Sequence, residues 1–211
     1  MLLYLGAGLA GLASAGVAGG MLRAAADPAT TTLQQARAEF DAGHLTDAAA
    51  AFRVLAAKGD PQAEYWYGYT LDHGLGTVAD AKAAITQYDK ALAGGVVAAG
   101  TNLGELYSSG NAIPPDYPKA RNLFTDAARL GDARAARDLG LMLRDGIGGP
   151  ADPVGAFAWL EVASLRGDTA AQAERNHLLL TLSPAQQAEA SQQAAALQAA
   201  KSAPNTPASK T

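Results

Sequence analysis

The chain contains no cysteine. Disulfides, zinc–thiolate centres and a cysteine nucleophile are therefore excluded, although exported proteins can also lack cysteine, so compartment stays open. Aromatic residues make up only 6% of 211 positions, and no stretch alternates apolar with polar residues long enough to form a half-buried strand. Basic charge is scarce too. Sixteen Lys and Arg face 20 Asp and Glu, leaving −4 with both signs dispersed. With no cationic stripe to neutralise phosphates, nucleic acid is not an expected partner. The three histidines, His44, His73 and His177, are far apart, and none has a second histidine or a cysteine three or four residues away, so no metal site is expected. No Ser/His/acid order suggests a triad, and the carboxylates fit helix caps and exposed helix charges, so neither catalysis nor a cofactor is expected.

Alanine, leucine, glutamine and lysine dominate what remains, which favours helix and an all-α class. Residues 1–22 carry no charge before Arg23. As a helix they would reach roughly 30 Å, enough to cross a hydrocarbon core. Two readings stand for residues 1–26. One is a signal peptide cut after Ala24-Ala25-Ala26, although the basic n-region is missing. The other is a retained transmembrane anchor with small residues (Ala7, Gly11, Ala15, Gly19) on one packing face. Arg23 alone would hold the following domain on the cytoplasmic side.

The rest of the chain is periodic. Gly59, Gly95, Gly131 and Gly167 are each 36 residues apart, as are Ala63, Ala99, Ala135 and Ala171. The same step relates Gly68, Gly104 and Gly140; Gly74, Gly110 and Gly146; Asp80, Asp116 and Asp152; and Ala84, Ala120 and Ala156. Such a register predicts stacked helix pairs. Asp60-Pro61 and Asp152-Pro153 read as an N-cap followed by proline at the first helical position, and Asp80 and Asp116 fill the same cap role. Gly74, Gly110 and Gly146 stand where the first helix of each pair must stop. A glycine inside a helix costs about 1 kcal/mol relative to alanine. Close packing against a partner helix is the expected offset for Gly68, Gly104 and Gly140, with Ala84, Ala120 and Ala156 as the expected contacts.

Helices A are thus expected near 60–73, 95–109 and 132–145, and helices B near 80–93, 116–130 and 152–166. Residues 27–59 read as a preceding pair that starts at an Asp27-Pro28 cap and turns at Gly43–Thr46. Residues 167–200 read as a fifth pair, its second helix capped by Ser183-Pro184. Atypical ends suit a stacked array, which must close both faces. The polar tail 201–211, with two prolines, is expected to be disordered.

These columns resemble the Sel-one-like repeat (SLR), a relative of the tetratricopeptide repeat. Its pattern opens with Gly-Asp, carries Leu-Gly in helix A, a glycine-containing loop, then Asp-x-x-Lys-Ala and a late aromatic pair in helix B. The stretch "GDARAARDLGLMLRDGIGGPADPVGAFAWLEVAS" fits, as do the two before it. Tyr67, Val96 and Gly155 depart from the pattern, replacing leucine, aspartate and lysine respectively. The resemblance implies a right-handed α-solenoid of about five antiparallel helix pairs in residues 27–200, acting as an adaptor in protein complexes. The absence of cysteine separates the chain from the disulfide-stapled members.

The run "RDGIGGPADP" (144–153) packs three glycines into four positions, as a phosphate-binding loop can. A phosphate loop would need a strand before it and Lys-Ser/Thr after it, and neither is there. Gly146 belongs to a repeat column, and the run is a turn.

For binding, the tyrosine- and tryptophan-rich "EYWYGY" (64–69) stands out. Gln62, Trp66, Tyr69 and His73 form one helical stripe, and Asn102, Glu105, Arg134 and Asp138 stand at equivalent positions of later repeats. This stripe is expected to line a concave groove, Trp66 and Asn102 lying in a solvent-facing column, and exposed aromatics there would anchor a partner. The alternative places Trp66 beneath the preceding helix pair. Trp159, in a column where the resembling family is aromatic, is expected in the core. The function expected is a non-catalytic protein–protein interaction scaffold of the bacterial cell envelope, membrane-anchored or periplasmic, taking a protein or peptide partner. An accessory subunit of an integral membrane complex is the alternative, and a soluble enzyme a remoter one.

Overall fold

The structure is a computed structural model that describes residues 27–202. The signal-or-anchor reading of residues 1–26 lies outside the described residues, and so does the tail from 203 onward, while Lys201 and Ser202 still belong to the last helix. The described residues form ten helices and no strand. The A helices are α1 (Leu33–Asp41), α3 (Pro61–His73), α5 (Val97–Ser109), α7 (Ala133–Asp145) and α9 (Thr169–Leu179). The B helices are α2 (Leu45–Ala57), α4 (Ala81–Ala93), α6 (Tyr117–Leu130), α8 (Pro153–Leu165) and α10 (Pro184–Ser202). From α1 to α9 each helix packs on its neighbours in sequence, so the array is a solenoid held by local contacts.

The repeat columns do the work assigned to them, with informative exceptions. Asp60, Asp80, Asp116, Asp132, Asp152 and Asp168 all cap helices by accepting a backbone N–H in the first turn. Asp27 does not cap α1. Its carboxylate accepts the Ala29 N–H and its carbonyl the Thr30 and Thr31 N–H groups, closing a single turn. The cap of α1 is Thr32, in a reciprocal capping box with Gln35. Gly74, Gly110 and Gly146 end their helices in the left-handed conformation, with φ of 66°, 66° and 67°. The run at 146–149 is a turn, pressed at Gly148 against the Tyr117 carbonyl at the start of α6.

The mid-helix glycines answer to a different neighbour from the one expected. A Cβ on Gly104 would sit 2.6 Å from Phe124 Cε1, one on Gly68 2.9 Å from Tyr88 Cδ1, and one on Gly140 2.8 Å from Leu160 Cγ. The glycine makes room for the large residue one turn after Ala84, Ala120 or Ala156. Those alanines are themselves fully buried. Small residues therefore face large ones across each pair, the complementarity that close packing requires.

The last unit departs from the hairpin form. Ser183 and Gln186 cap α10 reciprocally. Instead of lying along α9, however, α10 packs chiefly on α8 and reaches α6. Its Ala190 and Ala194 join the core that holds Leu139, Leu160 and the buried Trp159. Alanines at this spacing let a polar helix approach closely and close the open end of the array.

Candidate partner-binding face

The A helices carry two runs of polar contacts, one from α3 to α7 by way of Tyr88 on α4 and one from α7 to α9. Asp72 on α3 accepts the Tyr88 hydroxyl at 3.4 Å. That hydroxyl accepts from Asn102 Nδ2 at 3.0 Å, and Asn102 Oδ1 accepts from Arg134 Nη2 at 2.7 Å. Arg134 Nη1 lies 3.7 Å from Glu105 Oε1. Further along, Arg137 joins Asp138 (3.0 Å) to Asp168 (2.9 Å), and Arg144 joins Asp145 (2.7 Å) to Glu174 (2.6 Å). Arg175 pairs with Glu161, tying α9 to α8.

The expected site residues fall into three groups. Asn102, Glu105 and Arg134 come together in one cluster, with Asp138 half-buried beside Arg137. Tyr69 and His73 lie ring against ring at 4.2 Å, with His73 exposed and its Nδ1 3.1 Å from the Tyr69 carbonyl. Gln62 is exposed at the start of α3. Trp66 takes the second of its two placements. Its indole is half-buried under the first pair, stacked on Phe52 at 5.8 Å and 5.5 Å from Phe40, with the Arg37 guanidinium 4.8 Å from the ring. Asn102 also differs from the solvent-facing expectation, being only 2% exposed. The fully buried Tyr88 brings a hydroxyl that needs a partner, and Asn102 turns inward to supply it.

Burial sets the electrostatics of this face. Partial burial pushes the carboxyls of Asp72, Glu105 and Asp138 above their ordinary values, against the opposing pull of His73, Arg134 and Arg137 respectively. Burial also raises the Tyr65 and Tyr88 hydroxyls, so both stay protonated and able to donate. Among the described residues no group of three His, Cys, Asp or Glu is arranged to hold a metal ion. The arrangement offers a partner hydrogen-bonding and ionic groups held in place from behind.

Sequence reasoning missed Asp72, Tyr88, Arg137 and Arg144 in this network. Tyr88 did carry a signal, because it shares a column with Phe124 and Leu160 and adds a polar atom to an apolar position. Asp168 was hidden because a capping aspartate gives no hint that its second oxygen will meet Arg137.

The Sel1 repeat family model matches residues 61–96, 98–132 and 133–168, which together make up half of the chain. The chain belongs to the Sel1 repeat family. Among solved structures, the Sel1 array is similar to a Sel1 repeat protein from Oxalobacter formigenes, with 28% identity and a TM-score of 0.63 over 68% of this chain and 59% of that one. It is also similar to a protective antigen present in uropathogenic Escherichia coli strains that displays an SLR fold, with 21% identity and a TM-score of 0.48 over 83% of this chain and 50% of that one. The Sel1 array thus spans between half and three-fifths of the length of these two proteins. No curated protein sequence matches the chain. Sel1 solenoids are generally protein–protein interaction modules.

Proposed function

We propose that this Sel1 protein is a non-catalytic adaptor of the bacterial cell envelope that seats a partner protein or peptide on its A-helix face. The observation that carries the reading is the polar chain from Asp72 through Tyr88 and Asn102 to Arg134 and Glu105. It crosses three successive A helices and presents an exposed guanidinium and a half-exposed carboxylate already fixed in orientation, which lowers the entropy lost on binding. The flanking Tyr69 and His73 rings supply apolar area beside it. The envelope assignment is supported by the uncharged apolar run of residues 1–22. Among the described residues no helix is long and apolar enough to cross a membrane.

Site-specific photo-crosslinking of the full chain in its native host tests the face. A crosslinker at Gln62 or Arg134 should join a discrete protein partner, and one at Lys90, exposed on α4, should not. Equal crosslinking from Lys90, or none from the A-face positions, rejects the assignment. N-terminal sequencing of the native protein tests the anchor. An intact Met1 in the membrane fraction supports a retained segment, and a start at Asp27 supports export after cleavage.

A further inference from the structure

From α2 to α8, consecutive B helices pack little on one another, and each adjacent pair among these four leaves a trough floored by the A helix between them. In the trough beside α2, Tyr67 packs against core side chains on both sides, and the space left between α2 and the α3–α4 loop is about 150 Å³. In the next, Tyr107 does the same from α5, and Lys119 closes over it, its Nζ donating to the hydroxyl at 2.8 Å and lying 4.1 Å from the ring centroid. In the third trough both fillers are missing. The columns of Tyr67 and Tyr107 carry Leu139 and Leu143, and the column of Lys119 carries Gly155. There α10 enters from the side, and a cavity of about 390 Å³ remains among α6, α8 and α10, walled by Trp159, the two leucines and Leu197 of α10, a volume at the lower end of ligand sites.

The rim of this cavity is cationic. Arg121 and Arg129 on α6 both line it. Arg121 spends one nitrogen on the Pro150 carbonyl at 3.2 Å, and Arg129 makes no ion pair with any described residue. The one carboxylate in the lining, Asp152, is committed to the α8 cap through the Gly155 N–H at 2.9 Å. The two arginines are eight residues apart, so their backbone positions are about 12 Å apart along the helix. A single carboxylate is too short to engage both. An extended chain rising about 3.3 Å per residue places side chains four residues apart at a matching distance.

We infer that this trough is a second docking site, taking an extended acidic segment of a partner protein. A large apolar side chain of the segment enters between Leu143 and Trp159, and carboxylates flanking it pair with Arg121 and Arg129. The site is on the B side and does not depend on the A-face reading.

The full chain carrying Trp66→Phe keeps Trp159 as its only tryptophan, so its emission reports on the trough. The probe is the capped peptide Glu-Ser-Phe-Ser-Glu. It should shift Trp159 emission saturably, and versions with Gln for both Glu, or Ala for Phe, should bind about tenfold more weakly or worse. Leu143→Tyr rebuilds the filling of the neighbouring repeat. It should abolish binding while raising the melting temperature. The double variant Arg121→Gln/Arg129→Gln should keep full helicity and lose about tenfold in affinity, which preserves the test if the tyrosine misfolds. Unchanged affinity in either folded variant overturns the proposal, as does equal binding of the Gln peptide. Phenylacetate binding as tightly as the peptide would also overturn it, in favour of a small-molecule pocket.

Discussion

From α1 to α4 the space between helices is filled by rings. Phe40, Phe52, Tyr65, Trp66 and Tyr88 pack with centroids 5.4–6.2 Å apart. From α7 to α10 the corresponding layer is aliphatic, built from Leu139, Met142, Leu143, Leu160 and Val162, with Phe157 and Trp159 as its two large rings. Both halves keep the same frame of Asp caps, left-handed glycine stops and fully buried Ala84 and Ala156. The frame therefore fixes where helices run, while the filling is free to vary as long as a small residue faces a large one. The polar groups follow the filling. Where the ring carries a hydroxyl, a buried hydrogen-bond chain runs through Tyr88 and Asn102. Where the filling is aliphatic, arginine–carboxylate pairs run along the outside.

The glycine columns offer the largest effect. Gly104→Leu drives a side chain into the Phe124 ring and should lower stability by at least about 3 kcal/mol, read as an early thermal transition in circular dichroism. Gly140→Leu should cost less, because the branched Leu160 that it meets can change rotamer more easily than a ring can move. Equal costs would mean that the two halves are packed alike after all. Next comes Tyr88→Phe, which leaves the buried Asn102 amide without its acceptor and should cost about 1–3 kcal/mol in urea denaturation. The equivalent position in the next repeat is already Phe124, so the loss would belong to the polar chain and not to the ring.

Asp80→Ala and Asp152→Ala each remove a side-chain cap and should each cost about 1 kcal/mol. Matching values support a shared frame, and a large difference would break it. Smaller still, Arg144→Ala on the outer face should change stability by no more than about 0.5 kcal/mol, because exposed ion pairs are screened.

The pH response separates inner from outer carboxylates. Burial holds the Glu105 carboxyl above its ordinary value of 4.5, Arg134 notwithstanding. The folded chain then binds more protons than the unfolded chain between the two values, so this group's contribution to stability falls as pH rises through that window. Acidifying from neutral should therefore favour the parent over Glu105→Gln, and the gap between their melting temperatures should shift in that direction. A gap independent of pH would mean that Glu105 is not desolvated in the folded protein.

Much of this was legible in the chain because a repeat multiplies every local signal. The predicted helices at 60–73, 80–93, 132–145 and 152–166 match α3, α4, α7 and α8 within about two residues, since Asp-Pro caps and glycine stops act within one turn of the backbone. The first helix was misplaced because Asp27-Pro28 carries the same local signature as Asp60-Pro61. Only the downstream Thr32–Gln35 box, not the dipeptide, starts α1. Trp66 was ambiguous for a related reason. Helical periodicity says which residues share a stripe, but whether that stripe meets solvent or the previous pair depends on how far α1 and α2 overhang α3.

The spacing of glycine, alanine and aspartate by itself determined that the chain is a Sel1-type stack of helix pairs, because those residues act through the backbone and nearest neighbours. Three outcomes were left to the tertiary structure: the inward turn of Asn102 towards Tyr88, the path of α10 across α8, and the cavity that remains beside Trp159. Each depends on side chains from separate repeats meeting in space, and the volume and hydrogen bonding of such a meeting are set by the packed neighbours together.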